Sequence, residues 1–231
     1  MNSMELASMT LTAPRAAFQE LRERPRFWLP LTLTLGGTVA LLFWYFSIVD
    51  FAWLTDHLMN SNARLRQMPE AQREQAMASM SRTGLMLSAV VAAPLIIMVL
   101  RLVEAGYYSL AGKIVNVQYS FRQWFALSWW TSLPHVLGIA AMAAFLLLSD
   151  SNQIGSEELQ VLSLNELFFH RGLDEPGVSL LSSLTLLHPW AWALSVLGVQ
   201  TWSGRSLAFS AAFALAPTLV IYGIWALLAF R

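Results

Sequence analysis

Cysteine is absent from the 231 residues. Disulfides, thiol nucleophiles and thiolate metal sites are therefore excluded. Charge is scarce as well. Asp, Glu, Lys and Arg make up 12% of the chain, where a soluble domain carries about 25%. Acids and bases balance to a formal net charge of zero, so nothing draws the chain toward nucleic acid and no such partner is expected. The missing charge is missing in blocks: none of the four residue types occurs in 27–49, 83–100, 123–149, 176–204 or 206–230. Also missing are a Walker loop, HExxH, GxSxG and any clustered His/carboxylate set. Without them, no catalytic activity, cofactor or metal is expected.

What fills the blocks is apolar; 56% of the chain is hydrophobic. Each block is near or above the ~20 residues that a spanning helix needs. Lipid offers no hydrogen-bond partners, so a spanning segment must satisfy its own backbone, as a helix does. Barrel strands would show ~10-residue segments of alternating polarity, and these are absent. The predicted fold is all-α: a polytopic membrane helical bundle with five transmembrane helices. They fall at about 27–49, 83–111, 121–148, 187–203 and 206–230. The first is not a cleaved signal, because it exceeds the ~7–15 apolar residues of a signal core and no small-x-small site follows.

Two domains are expected: an N-terminal segment, 1–26, and a membrane domain, 27–231. Residues 1–11 are expected to fray. Beyond them, TAPRAAFQELRERPRFWLP predicts a short amphipathic helix capped by Thr12 with Pro14 in its first turn. Ala17, Phe18 and Leu21 share one face, and Arg15, Gln19, Arg22 and Glu23 lie elsewhere. Such a helix lies flat on a membrane surface, so Arg15, Phe18, Leu21 and Arg22 form the predicted surface contact. Pro25 ends it. Arg15, Arg22, Arg24 and Arg26 crowd before the first span and set a cytoplasmic N-terminus. Five spans then put the C-terminus on the opposite side of a cell (inner) membrane. The connection 50–82 is predicted helical from Pro69 through PEAQREQAMASMS, and 149–184 is an acidic connection.

Three stretches carry a family likeness: APRAAFQELRERPRFWLPL (13–31), SFRQWFALSWWTSLPHVLG (120–138) and LHPWAWALSVLGVQTWSGRS (187–206). Together they resemble the bacterial branch of the Yip (Ypt-interacting protein) domain family. The resemblance implies five spans, a cytoplasmic N-terminus and no catalytic machinery. Eukaryotic relatives are associated with small GTPases and vesicle traffic. This chain lacks their long polar N-terminal region and has Trp129-Trp130 where an aromatic-Gly-Tyr step is expected, so no small GTPase partner is carried over.

Within the second span, Arg101 and Glu104 interrupt the apolar run MVLRLVEAGYYSLAGK. A charge at the bilayer centre costs roughly 2.5–3.5 kcal/mol, so it should be paired or face an interior. At i,i+3 the two can pair with each other, and Tyr108, one turn on, can donate to the carboxylate. Counting outward from the shared connection along straight antiparallel helices puts His135 at the depth of Arg101. The expected intramembrane cluster is therefore Arg101, Glu104, Tyr108 and His135. It reads either as a latch fixing helix register or as a proton or ion relay.

Pro94, Pro134 and Pro217 fall inside spans as tolerated kinks or as breaks that build a mid-membrane site. Trp124, Trp129, Trp130, Trp190, Trp192 and Trp202 mark interfaces and packing. Asp56-His57 could hold a cation but reads as ordinary loop. Gly36/Ala40, Ala89/Ala93 and Ala140/Ala144 offer small-residue faces for close packing or homo-oligomers. The expected function is a non-enzymatic membrane-organising or partner-binding scaffold whose partners are the lipid bilayer, other proteins or a second copy. The rival is a small transporter or channel subunit built around Arg101, Glu104 and His135.

Overall fold

The structure is a computed structural model and describes residues 2–61 and 63–230; Met1, Asn62 and Arg231, the last residue of the expected membrane domain, lie outside them. The helices run α1 (Ser3–Thr12), α2 (Pro14–Glu23), α3 (Trp28–Ile48), α4 (Phe51–Ser61), α5 (Ala63–Arg66), α6 (Glu70–Ser79) and α7 (Arg82–Ile114). They continue as α8 (Phe121–Thr131), α9 (His135–Leu148), α10 (Val178–Ser183), α11 (His188–Ser203) and α12 (Leu207–Ala229), with a π-helical turn at Asn165–Phe169. Among the described residues there is no strand, only an isolated antiparallel bridge between Ser163 and Thr185. The chain is all-α.

Four stretches are long and apolar enough to cross a membrane: Trp28–Ile48, Arg82–Ile114, Phe121–Leu148 and Leu207–Ala229. Along α7 the exposed side chains are apolar, among them Leu87, Val91, Leu95, Ile96, Val99 and Val103. A water-soluble fold does not present such a surface, but lipid accepts it. The remaining expected span, the fourth at about 187–203, is α11, a helix of 16 residues. At 1.5 Å per residue it reaches about 24 Å, short of a ~30 Å hydrocarbon core.

The N-terminus differs from expectation. Residues 3–12 form a helix because Asn2 and Glu5 make a reciprocal capping box, which satisfies two otherwise orphaned amide groups. Leu6 of that helix is buried. Thr12 does not cap α2; its hydroxyl donates back to Ser8 O within α1. Ala13 occupies the N-cap of α2 without a side-chain bond, and Pro14 starts the helix.

Two compact units divide the chain. Unit 1 comprises 1–37, 95–137 and 187–224; unit 2 comprises 38–94, 138–186 and 225–231. Unit 1 is built on an aromatic core. Trp124 lies 5.2 Å from both Tyr108 and Trp202, 5.5 Å edge-on from Tyr119, and 6.0 Å from Phe213, ring centre to ring centre. Trp124, Trp129 and Trp130 are fully buried, so these tryptophans pack the interior rather than mark an interface; Trp190 remains exposed. Two of the indole N–H groups, on Trp124 and Trp129, have no hydrogen-bond acceptor among the described residues. Close helix approach occurs at Gly198, where a methyl group would lie 2.6 Å from Leu127 Cδ1. At Gly36, the glycine marked for that role, a methyl group would meet nothing within 4 Å.

Unit 2 gathers Leu41, Tyr45, Phe46, Val49, Leu54, Leu146, Ile154 and Leu159. The Tyr45 hydroxyl donates to Ile154 O at 2.9 Å. Arg82 donates to Phe46 O at 2.5 Å and lies over the Phe51 ring. Most of the acidic connection is folded locally, by the π-helical turn, α10 and the Ser163–Thr185 bridge.

Candidate functional site

The site begins with a broken helix in unit 1. Proline has no N–H and disrupts the preceding turn. At Pro134 the chain leaves α8, makes a tight turn over Ser132–Pro134 and restarts as α9. The Ser132 amide turns to Trp130 O, and Leu133 N also bonds Trp130 O at 3.2 Å. Ser128 O and Trp129 O thereby lose the amides that a continuous helix would supply. Side chains replace them. Ser132 Oγ donates to Trp129 O at 2.8 Å, and Thr131 Oγ1 to Ser128 O at 3.3 Å. The third donor comes from α7: Arg101 Nη1 lies 3.2 Å from Ser128 O. A cation at the carbonyl end of a helix is also favoured by the helix dipole.

The same guanidinium nitrogen lies 2.7 Å from Glu104 Oε2. Glu104 Oε1 lies 3.1 Å from the Tyr108 hydroxyl, and that hydroxyl is also 3.1 Å from Ala214 O. Ala214 sits in α12, which runs unbroken through Pro217. Arg101, Glu104 and Tyr108 thus form one hydrogen-bonded chain. It begins at the Ser128 carbonyl freed by the turn at Pro134 and ends at the Ala214 carbonyl of α12. Tyr108 is buried, and the Arg101 and Glu104 side chains keep 24% and 17% of their exposure.

His135 does not join it. No hydrogen bond or ion pair links His135 to Arg101 or Glu104 among the described residues. Its Nδ1 lies 3.2 Å from Ser132 O, and its ring meets His188 edge-to-face at 4.8 Å. His188 in turn packs against Trp192 and lies 3.2 Å from the Tyr222 hydroxyl. Neither His188 nor Tyr222 belongs to the expected cluster, though both stand in the sequence as polar aromatics inside uncharged runs.

The segment expected to lie on the membrane surface is α2, and its apolar face is turned inward. Phe18 and Leu21 are 0% and 1% exposed. Trp202 Nε1 donates to Phe18 O at 2.8 Å, Gln123 Nε2 to Arg22 O at 2.8 Å, and Trp130 Nε1 to Arg26 O at 2.5 Å. Arg15 is exposed and reaches Gln200 Oε1 at 2.9 Å. Phe18 and Leu21 therefore contact protein and not lipid, because the indoles and Gln123 hold the helix backbone to the bundle.

In unit 2, Asp56 and His57 diverge. His57 Nε2 lies 2.5 Å from Glu157 and its ring stacks on Trp53, while Asp56 bonds Asn60 and lies 3.7 Å from Arg73. No group of three or more His, Cys, Asp or Glu side chains arranged for a metal occurs among the described residues.

The Yip1 domain matches residues 9–229, nearly the full length of the chain. The chain belongs to the Yip1 domain family. This Yip1-domain chain, with four apolar helices of spanning length, is a membrane protein. No curated protein and no solved structure gives a match.

Proposed function

We propose that this Yip1-domain protein is a non-enzymatic scaffold of the bacterial branch, and that Arg101, Glu104 and Tyr108 are the latch that holds its spans in register. One observation carries the reading. Arg101 ties Glu104 to the Ser128 carbonyl freed at Pro134, and the Tyr108 hydroxyl stands between Glu104 and Ala214 O. The three side chains thereby join α7 to α8 and to α12, as a latch requires. Trp129-Trp130, the departure from the eukaryotic pattern, supports the bacterial branch. Both tryptophans are packed in the core.

In this reading α11 is the fourth of five spans, shortened because α2 and α8 cover it. The N-terminus is cytoplasmic, in the cell (inner) membrane. The exposed cations Arg15, Arg24, Lys113, Arg122 and Arg205 of unit 1 support that orientation and would meet anionic headgroups. The surface helix then touches the membrane through its basic edge. Protein partners or a second copy would use the small-residue faces Gly36/Ala40 and Ala140/Ala144, whose alanines at 40, 140 and 144 are exposed.

The test pairs flux measurements on the full chain in proteoliposomes with crosslinking in native membranes. The latch predicts no proton flux attributable to Glu104, so that Glu104→Gln leaves permeability unchanged. It also predicts one dominant partner on crosslinking in native membranes. Flux that Glu104→Gln abolishes would overturn it in favour of a transporter.

A further inference from the structure

Unit 2 presents an apolar surface that the membrane spans do not account for. Leu167, Phe168 and Phe169, three consecutive residues of the π-helical turn, are 38%, 63% and 52% exposed. They are held there by a rigid frame. Asn165 closes the turn on both sides, donating from Nδ2 to Arg171 O and accepting from Arg171 N, each at 3.1 Å. His170 N bonds Asn165 O at 2.7 Å with His170 in the left-handed region. Leu164 N bonds Leu184 O at 2.7 Å, and Leu186 N bonds Leu162 O at 3.0 Å. A frame that spends this many bonds to point two phenylalanines outward has selected that direction.

What covers them follows from where the frame is anchored. The Arg171 guanidinium lies over the Phe230 ring at 5.5 Å from its centre. Gly177, with φ +83°, leaves room for that same ring, which any β-carbon there would strike. Phe230 directly follows α12, whose final turns expose Leu227 and Leu228. The turn is therefore docked on the end of a membrane helix. It carries the order expected at a lipid boundary: large apolar side chains first, then a cation, Arg171. Of the nearby acids, Asp174 pairs with Arg66 and Glu175 accepts from Gly172 N, while Glu166, within the turn, is half-buried.

We infer that the Asn165–Phe169 turn is a membrane-dipping element, with Phe168 and Phe169 seated in lipid at the boundary between headgroups and hydrocarbon. The segment between the third and fourth expected spans is then not a free aqueous connection; it returns to the bilayer partway along.

The cysteine-free chain allows a direct test. Single variants Phe168→Cys and Phe169→Cys are spin-labelled, with Leu228→Cys as a hydrocarbon reference and Gln153→Cys as a water reference. All four side chains are exposed, so labelling disturbs no packing. The full chain is reconstituted in vesicles of phosphatidylcholine and phosphatidylglycerol. Power saturation then compares collisions with oxygen and with a water-soluble nickel chelate. The expected oxygen-to-nickel ratio at 168 and 169 is several-fold above that at 153 and approaches that at 228. A ratio equal to that at 153 places the face in water and overturns the inference. Protection from both reagents means that protein covers it, a second copy or a partner, and overturns it equally.

Discussion

Unit 1 contains eight basic and four acidic residues; unit 2 contains six and ten. The neutral chain is thus a +4 unit and a −4 unit. They are also held together differently. In unit 1 the long-range polar bonds run mostly from a side chain to a backbone carbonyl: Arg101 to Ser128, Tyr108 to Ala214, Trp202 to Phe18, Trp130 to Arg26, Gln123 to Arg22 and Arg205 to Val115. Unit 2 uses that device at Tyr45 and Arg82, and adds partly exposed side-chain pairs: His57 with Glu157, Arg66 with Asp174, Arg73 with Asp56. A carbonyl has no net charge for salt to screen, and where a proline has freed it, it must be satisfied. Exposed ion pairs are screened and weak. Unit 1 should therefore fail when one side chain is lost, and unit 2 should give way gradually.

The sharpest way to break that contrast is Arg101→Met. It leaves Glu104 without its counter-charge and Ser128 O with Thr131 alone, and removing one partner of a buried ion pair costs about 3–5 kcal/mol. Thermal unfolding in detergent should show it as the largest loss among single variants. The double variant with Glu104→Gln should recover much of the loss, and failure to recover would remove the pairing argument. Next comes Gly198→Ala. Its methyl group would press on buried Leu127, and overpacking costs roughly 1–3 kcal/mol; an unchanged midpoint would mean that α8 and α11 do not meet so closely. Trp202→Phe loses the bond to Phe18 O, worth about 0.5–1.5 kcal/mol. It should speed proteolysis after Arg15 or Arg22 while leaving sites in unit 2 untouched. Smallest is Asp174→Asn, under about 1 kcal/mol, with the effect vanishing at high salt. A salt-independent effect there would erase the distinction between the units.

The sequence made some of this plain and hid the rest for identifiable reasons. Charge-free runs mark the four long helices, because lipid forbids unpaired charge over that length. The contacts of Arg101 and Tyr108 with Glu104 are local, i,i+3 and i,i+4, so helix geometry alone anticipates them. Their second partners, Ser128 O and Ala214 O, are backbone atoms on other helices, and no residue type announces a freed carbonyl. Pro134 frees Ser128 O by breaking the helix after it, a demand for donors that a proline read as a kink does not announce. His135 takes its contacts from Ser132 O and the His188 ring, which a count of helical rise does not reveal. The capping box of α1 was legible in Asn2 and Glu5. Gly198 was not, since a close approach depends on what stands opposite.

The two indole N–H groups without acceptors, on Trp124 and Trp129, have a consequence of their own. A proton sealed in such a place trades with heavy water only when the surrounding packing opens. Both lie in the aromatic heart of unit 1, so their exchange would time the opening of that core. The chain carries its own clock there.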